Sequence, residues 1–243
     1  MKTDFTTAQP EGGRGFARFT TVLLDVDGTL LDFNEAERLG VCAVMRAWGM
    51  KPTSYLIERY HQINQEFWKA FERGDIAREE IFGNRYVKFF ASMGKAVDGT
   101  ACEILYREQL DNCAILIDGA EDICAYLKDK GYDLYIVTNG VSTTQYSRLK
   151  RSGLDRYFTD IFVSEDSGSQ KPKKEYFDYC FARIREKDPA RMLIVGDSQT
   201  SDIRGGMNAG VAACWLNDGT QPRVAGVRAD YEIRGLGELR GIL

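Results

Sequence analysis

The sequence predicts an α/β protein, a doubly wound parallel sheet into which an all-helical segment is inserted. Three observations carry that reading. Beyond residue 115, short apolar runs of strand length alternate with helical stretches, the pattern of right-handed crossovers that gives a parallel sheet covered on both faces. One earlier strand, at about 19–25, stands apart from the others. Between them, 34–114 shows no strand pattern and places its apolar residues at helical spacing instead. With 243 residues, 44% of them apolar, the chain has ample material to bury a core and an insert together.

Taken in order, residues 1–18 are polar and Gly-rich without periodicity, and read as a flexible N-terminal tail. The strand that follows ends in Val22, Leu23 and Leu24. In the insert, Asn34 is expected to cap a helix running up to Gly49. A second helix starts near Thr53, with Leu56, Ile57, Tyr60, Ile63, Phe67, Trp68 and Phe71 three or four apart, and Gly74 ends it. Helices over Asp75–Phe90 and Gly99–Cys113 complete the insert. The core, 19–33 with 115–243, resumes with a helix at Asp118–Lys130 and a strand at Tyr132–Val137. Helices then follow at Ser142–Ser152, Lys173–Arg185 and Ser201–Ala209, with strands at Ile161–Val163, Met192–Val195 and Val211–Trp215. An edge strand at Ala229–Ile233 and a closing helix at Leu236–Ile242 end the chain.

The totals exclude several classes. A net charge of −4 offers no basic field for nucleic acid or an anionic membrane. No apolar run approaches the roughly 20 residues that span a bilayer, and no secretory h-region opens the chain, so a cytoplasmic location is expected. The six cysteines form no CxxC pair and read as reduced, buried small hydrophobes. The single histidine, His61, has no ligand cluster around it in sequence, which argues against zinc.

Chemistry concentrates where strands end, the edge at which parallel sheets bind ligands. The first strand runs into Asp25-Val26-Asp27-Gly28-Thr29. Residues two apart on a strand can point the same way, and two crowded carboxylates repel unless a cation or proton separates them. That suits a hard metal ion beside a nucleophile. A calcium loop is the bland alternative, but the Leu30-Leu31 pair interrupts its register. Thr138-Asn139-Gly140 follows the second strand, offering a hydroxyl and helix-start amides that favour phosphate; a plain N-cap and turn would look the same. Lys171-Pro172 opens a helix, where the lysine could pair with Asp25 and a phosphoryl oxygen or simply mark a boundary. Asp197 follows the next strand and Asp202 lies one helical turn later; capping accounts for part of this pair. One carboxylate pair, one hydroxyl, one lysine and a second acidic pair at the same predicted edge argue jointly for catalysis.

In this order, DVDGTL, VTNG, Lys171-Pro172 and GDSQTSD resemble the four motifs of the haloacid dehalogenase-like phosphohydrolases, over essentially everything after the tail. The stretches TNGVSTTQYSRLKRSGL, IFVSEDSGSQKP, GDSQTSDIRGG and CWLND are most similar to that family's pyrimidine 5′-nucleotidase branch. The resemblance implies a Rossmann-like core with a helical cap domain at 34–114. It also implies a Mg²⁺-dependent phosphomonoester hydrolase working through an aspartyl-phosphate, a nucleoside 5′-monophosphatase for substrates such as UMP, dUMP and dTMP. Asp25 would be the nucleophile and Asp27 the general acid and base. Mg²⁺ would be held by Asp25, the Asp27 carbonyl and Asp197, with Asp202 behind them. Thr138, Lys171 and the amides near Asp27, Gly28 and Asn139 would hold the phosphoryl oxygens. Its partner is then a small phosphomonoester, not nucleic acid or membrane. The insert's aromatics, Trp48, Tyr55, Tyr60, Phe67, Trp68 and Phe71 beside His61, are mostly expected in its core, with some free to touch ligand. A sugar-phosphate phosphatase or phosphomutase on the same scaffold is the alternative; a phospho-acceptor module or a non-catalytic binding protein fits less well.

Overall fold

The structure, a computed structural model, describes residues 19–243; the expected tail at 1–18 lies outside the described residues. Six strands, β1 (Thr21–Leu24), β2 (Asp133–Thr138), β3 (Asp160–Val163), β4 (Met192–Gly196), β5 (Ala212–Leu216) and β6 (Tyr231–Ile233), form one sheet in the order β3-β2-β1-β4-β5-β6. Every pairing is parallel, with Leu23 level with Tyr135 on one side and Ile194 on the other. The central strands are apolar throughout because both faces are covered. Alternation sends Val22, Leu24, Leu134, Ile136, Leu193 and Val195 into one apolar cluster, and Leu23, Tyr135, Val137 and Ile194 into the other.

The insert after β1 holds four α-helices, α1 (Phe33–Ala47), α2 (Ser54–Arg73), α3 (Asn84–Ala91) and α4 (Gly99–Asp111). They build a third cluster of their own around Tyr60, Tyr86, Phe89, Phe90 and Tyr106. α5 (Ala120–Asp129) and α6 (Ser142–Ser152) then cover the first face of the sheet through Ile123, Leu127 and Leu149. A single turn, α7 (Ser164–Ser167), leads to α8 (Lys174–Arg183) and α9 (Arg204–Ala209) on the second face. α9 approaches the sheet closely, since a Cβ on Gly206 would sit 2.8 Å from Ile194 Cγ2. No helix among the described residues is long and apolar enough to cross a membrane.

Four local expectations are corrected. Asp32, not Asn34, caps α1, its Oδ1 accepting from the Glu35 amide at 2.9 Å. The helix expected over Asp75–Phe90 is broken into a 3₁₀ turn at Arg78–Glu80 and α3. The break falls at Gly83, with φ of +81°, where the chain runs so close to α4 that a Cβ on Gly99 would meet Gly83 O at 2.5 Å. Third, the helix expected from Ser201 opens as a wide turn at Gln199–Ile203 before α9 begins, and the closing helix is 3₁₀ over Leu236–Gly241.

The chain runs outward from β1 to β3, then returns to place β4 against the other side of β1. Strand order therefore reverses between β1 and β4, and the crevice at their carboxyl ends is where such a sheet takes a ligand.

Candidate active site

At that crevice the residues singled out after three different strands come together around one lysine. Lys171 Nζ donates to Asp25 Oδ1 at 2.6 Å, to Asp202 Oδ1 at 2.6 Å and to Val137 O at 2.8 Å. All three ammonium protons are thereby used, and the side chain is only 1% exposed. Burial opposes its charge, but Asp202 and Asp25 outweigh burial and raise its pKa, so it stays an ammonium.

Asp25, Asp197 and Asp202 each bring a carboxylate oxygen within 4.8 Å of the others. Burial pushes the Asp25 carboxyl well above the usual range; Lys171 opposes that shift, while Asp202 and Asp197 add to it. Burial and then Asp202 push Asp197 up to about 7. Three carboxylates thus crowd one ammonium, an excess of negative charge that a hard divalent cation neutralises. The backbone is cut away to permit it. A Cβ on Gly28 would lie 2.5 Å from Asp197 Oδ2, and one on Gly196 2.2 Å from the Asp202 carboxyl. Thr29 Oγ1 accepts from the Asp197 amide at 3.1 Å and Trp215 Nε1 donates to the Asp197 carbonyl at 2.9 Å, fixing that loop. Capping of the following turn falls to Ser198, whose Oγ accepts from the Ser201 amide, which leaves the Asp197 carboxylate to the cluster.

Thr138 is buried at the end of β2, its hydroxyl accepting from the Gly140 amide at 3.1 Å. The Asn139 side chain clamps the Lys171 backbone both ways, donating to its carbonyl and accepting from its amide at 2.9 Å each. The loop after β2 and the lysine are therefore one rigid unit.

Asp27 departs from expectation. β1 ends at Leu24, so strand alternation does not carry through to Asp27, and its carboxylate lies against α6. Gln145 Nε2 donates to Asp27 Oδ2 at 2.5 Å, and Arg148 Nη1 pairs with Oδ1. Arg148 also donates through Nε to the Cys113 carbonyl at 3.0 Å, where the insert rejoins the core. Neither residue stands out by type in the sequence; the signal for both is α6 itself, whose buried positions, Thr144, Gln145, Arg148 and Leu149, are mostly polar.

The insert also reaches the site. Arg78 donates to the carbonyls of Asn139 at 2.9 Å and Gly140 at 2.8 Å, and to Ser164 Oγ. Gln170 Nε2 donates to the Phe71 carbonyl at 3.0 Å, and Thr200 Oγ1 to Glu72 Oε2 at 2.7 Å. Burial raises the Glu72 pKa, the Thr200 bond opposing it. Of the insert's aromatics, Tyr60 is in its core, Tyr55 is exposed, and Trp68 lines a cavity facing Asp27.

Comparison with known proteins agrees with this geometry. A family profile described as haloacid dehalogenase-like hydrolase matches residues 19–210. The HAD-hydrolase YfnB of Bacillus subtilis is 46% identical over 93% of this chain and 96% of its own. A crystal structure of YfnB bound to magnesium, which reveals interdomain movement in that protein, matches with a TM-score of 0.88 over 93% of this chain and 99% of that one. The pyrimidine 5′-nucleotidase PynA of Streptococcus pneumoniae is 33% identical over 81% of this chain and 83% of its own. The pyrimidine 5′-nucleotidase YjjG of Escherichia coli is 30% identical over 91% and 96%. With its four motif segments gathered at one sheet edge and four-fifths of its length or more shared with these relatives, the chain belongs to the haloacid dehalogenase-like hydrolases.

Proposed function

We propose that the protein is a Mg²⁺-dependent phosphomonoesterase that works through an aspartyl-phosphate on Asp25, with pyrimidine nucleoside 5′-monophosphates as its substrates and 34–114 as its cap domain. The observation that carries the chemistry is Lys171 Nζ, held 2.6 Å from both Asp25 and Asp202 in a cluster with excess negative charge. Asp25, Asp197 and the Asp27 carbonyl would hold Mg²⁺, with Asp202 fixing the lysine behind them; the ion would neutralise phosphate against the carboxylates.

In the first step an Asp25 oxygen attacks phosphorus, the ester P–O bond breaks, and its electron pair leaves on the alkoxide. Lys171 occupies Oδ1 and so fixes the rotation of that carboxylate. Asp27 gives the alkoxide a proton, then takes one from the water that hydrolyses the Asp25 phosphoester. Both oxygens of Asp27 are engaged by Gln145 and Arg148 in this arrangement, so it exchanges one of those contacts for the leaving oxygen. Thr138 and the amides of Gly28 and Asn139 complete the cradle for the phosphoryl oxygens.

Support for the pyrimidine reading comes from the two relatives named pyrimidine 5′-nucleotidases, at 33% and 30% identity. Phosphate release from UMP, dUMP, dTMP, ribose 5-phosphate and an aryl phosphate, with Mg²⁺ and with chelator, tests both levels. Metal-dependent turnover that favours the nucleotides is expected. Preference for ribose 5-phosphate would keep the chemistry and replace the substrate class by sugar phosphates; no metal-dependent release from any ester would overturn the phosphatase reading.

A further inference from the structure

Seven buried side-chain polar atoms have no hydrogen-bond partner among the described residues, and five of them belong to residues lining one cavity between the inserted helices and the core. On the core wall they are Thr144 Oγ1, Gln145 Oε1 and Arg148 Nη2; on the insert wall they are Arg85 Nε and the Tyr106 hydroxyl. Buried polar groups are nearly always paired, so this concentration of exceptions beside Asp27 marks a surface that a heteroatom-bearing ligand completes. The cavity encloses about 40 Å³ here, room for little more than a water molecule. A substrate larger than this is admitted only with the insert wall further from the core than it stands here.

That wall is held by a relay of buried charge. Asn64 donates to Glu37 at 2.6 Å and accepts from Arg85 at 2.6 Å. Arg85 donates in turn to Glu103 Oε2 at 2.7 Å, and Glu103 Oε1 accepts from Arg107 Nε at 2.7 Å. Apolar packing would serve stability as well as such a relay does; what the relay adds is a fixed position for its last member. Arg107 lines the cavity, its guanidinium 4.1 Å above the Phe82 ring. Glu103 takes Nε, and the Nη pair has no hydrogen-bond partner among the described residues. A planar fork of donors stacked on an aromatic face fits a flat ring that carries carbonyl acceptors on its edge.

We propose that Arg107 is the specificity-determining residue of this enzyme, binding the carbonyl edge of a pyrimidine base that packs beside Phe82 in this cavity. The assignment rests on the pyrimidine nucleotidase reading and adds the residue that would enforce it. The test is kcat/KM for UMP, ribose 5-phosphate and p-nitrophenyl phosphate in the wild type, Arg107→Ala and Arg107→Lys, with Mg²⁺. A charge-assisted hydrogen-bonding contact of this kind corresponds to a loss of about 30-fold, expected for UMP in Arg107→Ala. The other two esters should stay within about threefold, and Arg107→Lys, keeping charge without the fork, should fall between. Wild-type preference for UMP with equal losses on all three esters, or no loss on UMP, would overturn the Arg107 assignment alone. Wild-type indifference to the base would overturn the nucleotidase reading and the assignment with it.

Discussion

Two regions of this molecule bury charge, and they do so in opposite ways. At the sheet edge, three carboxylates, Asp25, Asp197 and Asp202, gather around the single ammonium of Lys171. Inside the insert, Glu37 and Glu103 alternate with Asn64, Arg85 and Arg107 in a chain where each charged link meets a partner. The first arrangement is unbalanced and needs a cation; the second is balanced in charge. Burial of charge alone therefore does not mark a reactive centre. What marks it is an excess of one sign where several strands end.

The largest effect is expected on removing one charge from the unbalanced cluster. Asp25→Asn should lower kcat by roughly a thousandfold or more, as loss of a nucleophile does. It should leave the melting temperature unchanged or higher, because it removes a charge whose burial, with the crowding by Asp202 and Asp197, raises the Asp25 pKa. Turnover within tenfold of wild type would remove Asp25 as the nucleophile. The matching change in the balanced relay has the opposite signature. Arg85→Met strands Glu103 Oε2 and Asn64 Oδ1 in the insert interior, and should cost about 3–5 kcal/mol in urea unfolding. Turnover of an aryl phosphate per folded molecule should survive. A loss below about 1 kcal/mol would show that the relay is not held as tightly as its geometry implies.

The same contrast explains what could be read from the sequence. Asp25 and Asp197 each follow directly on an apolar strand and Thr138 ends one, so sheet topology alone carries them to one edge. Strand and helix order, and the insertion point, were legible for the same reason. The direction of the Asp27 side chain was not legible, because alternation holds only while the strand lasts, and β1 stops at Leu24. The relay was not legible at all. Glu37, Asn64, Arg85 and Glu103 sit on four separate helices, and helical periodicity gives a face without saying which face meets which. The one trace was the loose apolar pattern of α1, whose buried side includes Glu37. The contacts from Glu72 and Arg78 to the core were hidden likewise, since they depend on how the insert docks.

A smaller effect probes where the two regions meet. Thr200→Val removes the hydroxyl that donates to the largely buried Glu72 across the junction. The net worth of such a bond is about 1 kcal/mol, so thermal melting should show a modest loss with no change in secondary structure by circular dichroism. A variant as stable as wild type would mean that the junction is held by its other bonds, among them those of Arg78, Gln170 and Arg148.

The smallest expected effect lies at the far end of the relay, where it approaches solvent. His61 Nδ1 and Glu37 Oε2 are 2.5 Å apart. The hydrogen bond to Glu37 raises the His61 pKa above 6.5, burial opposes the shift, and the charge of Glu58 adds to it while Lys69 subtracts. A folded pKa above the unfolded one means that the folded state binds the proton more tightly. The contribution of His61 is therefore fully present below pH 6.5 and lost as pH rises through the higher folded value. The difference in unfolding free energy between wild type and His61→Gln should accordingly be largest in mildly acidic buffer and shrink toward alkaline pH. Because the ring is one-third exposed, the difference should be small and weaken with salt. A pH-independent difference would show that the imidazole serves the insert by packing, and that the relay ends at Glu37.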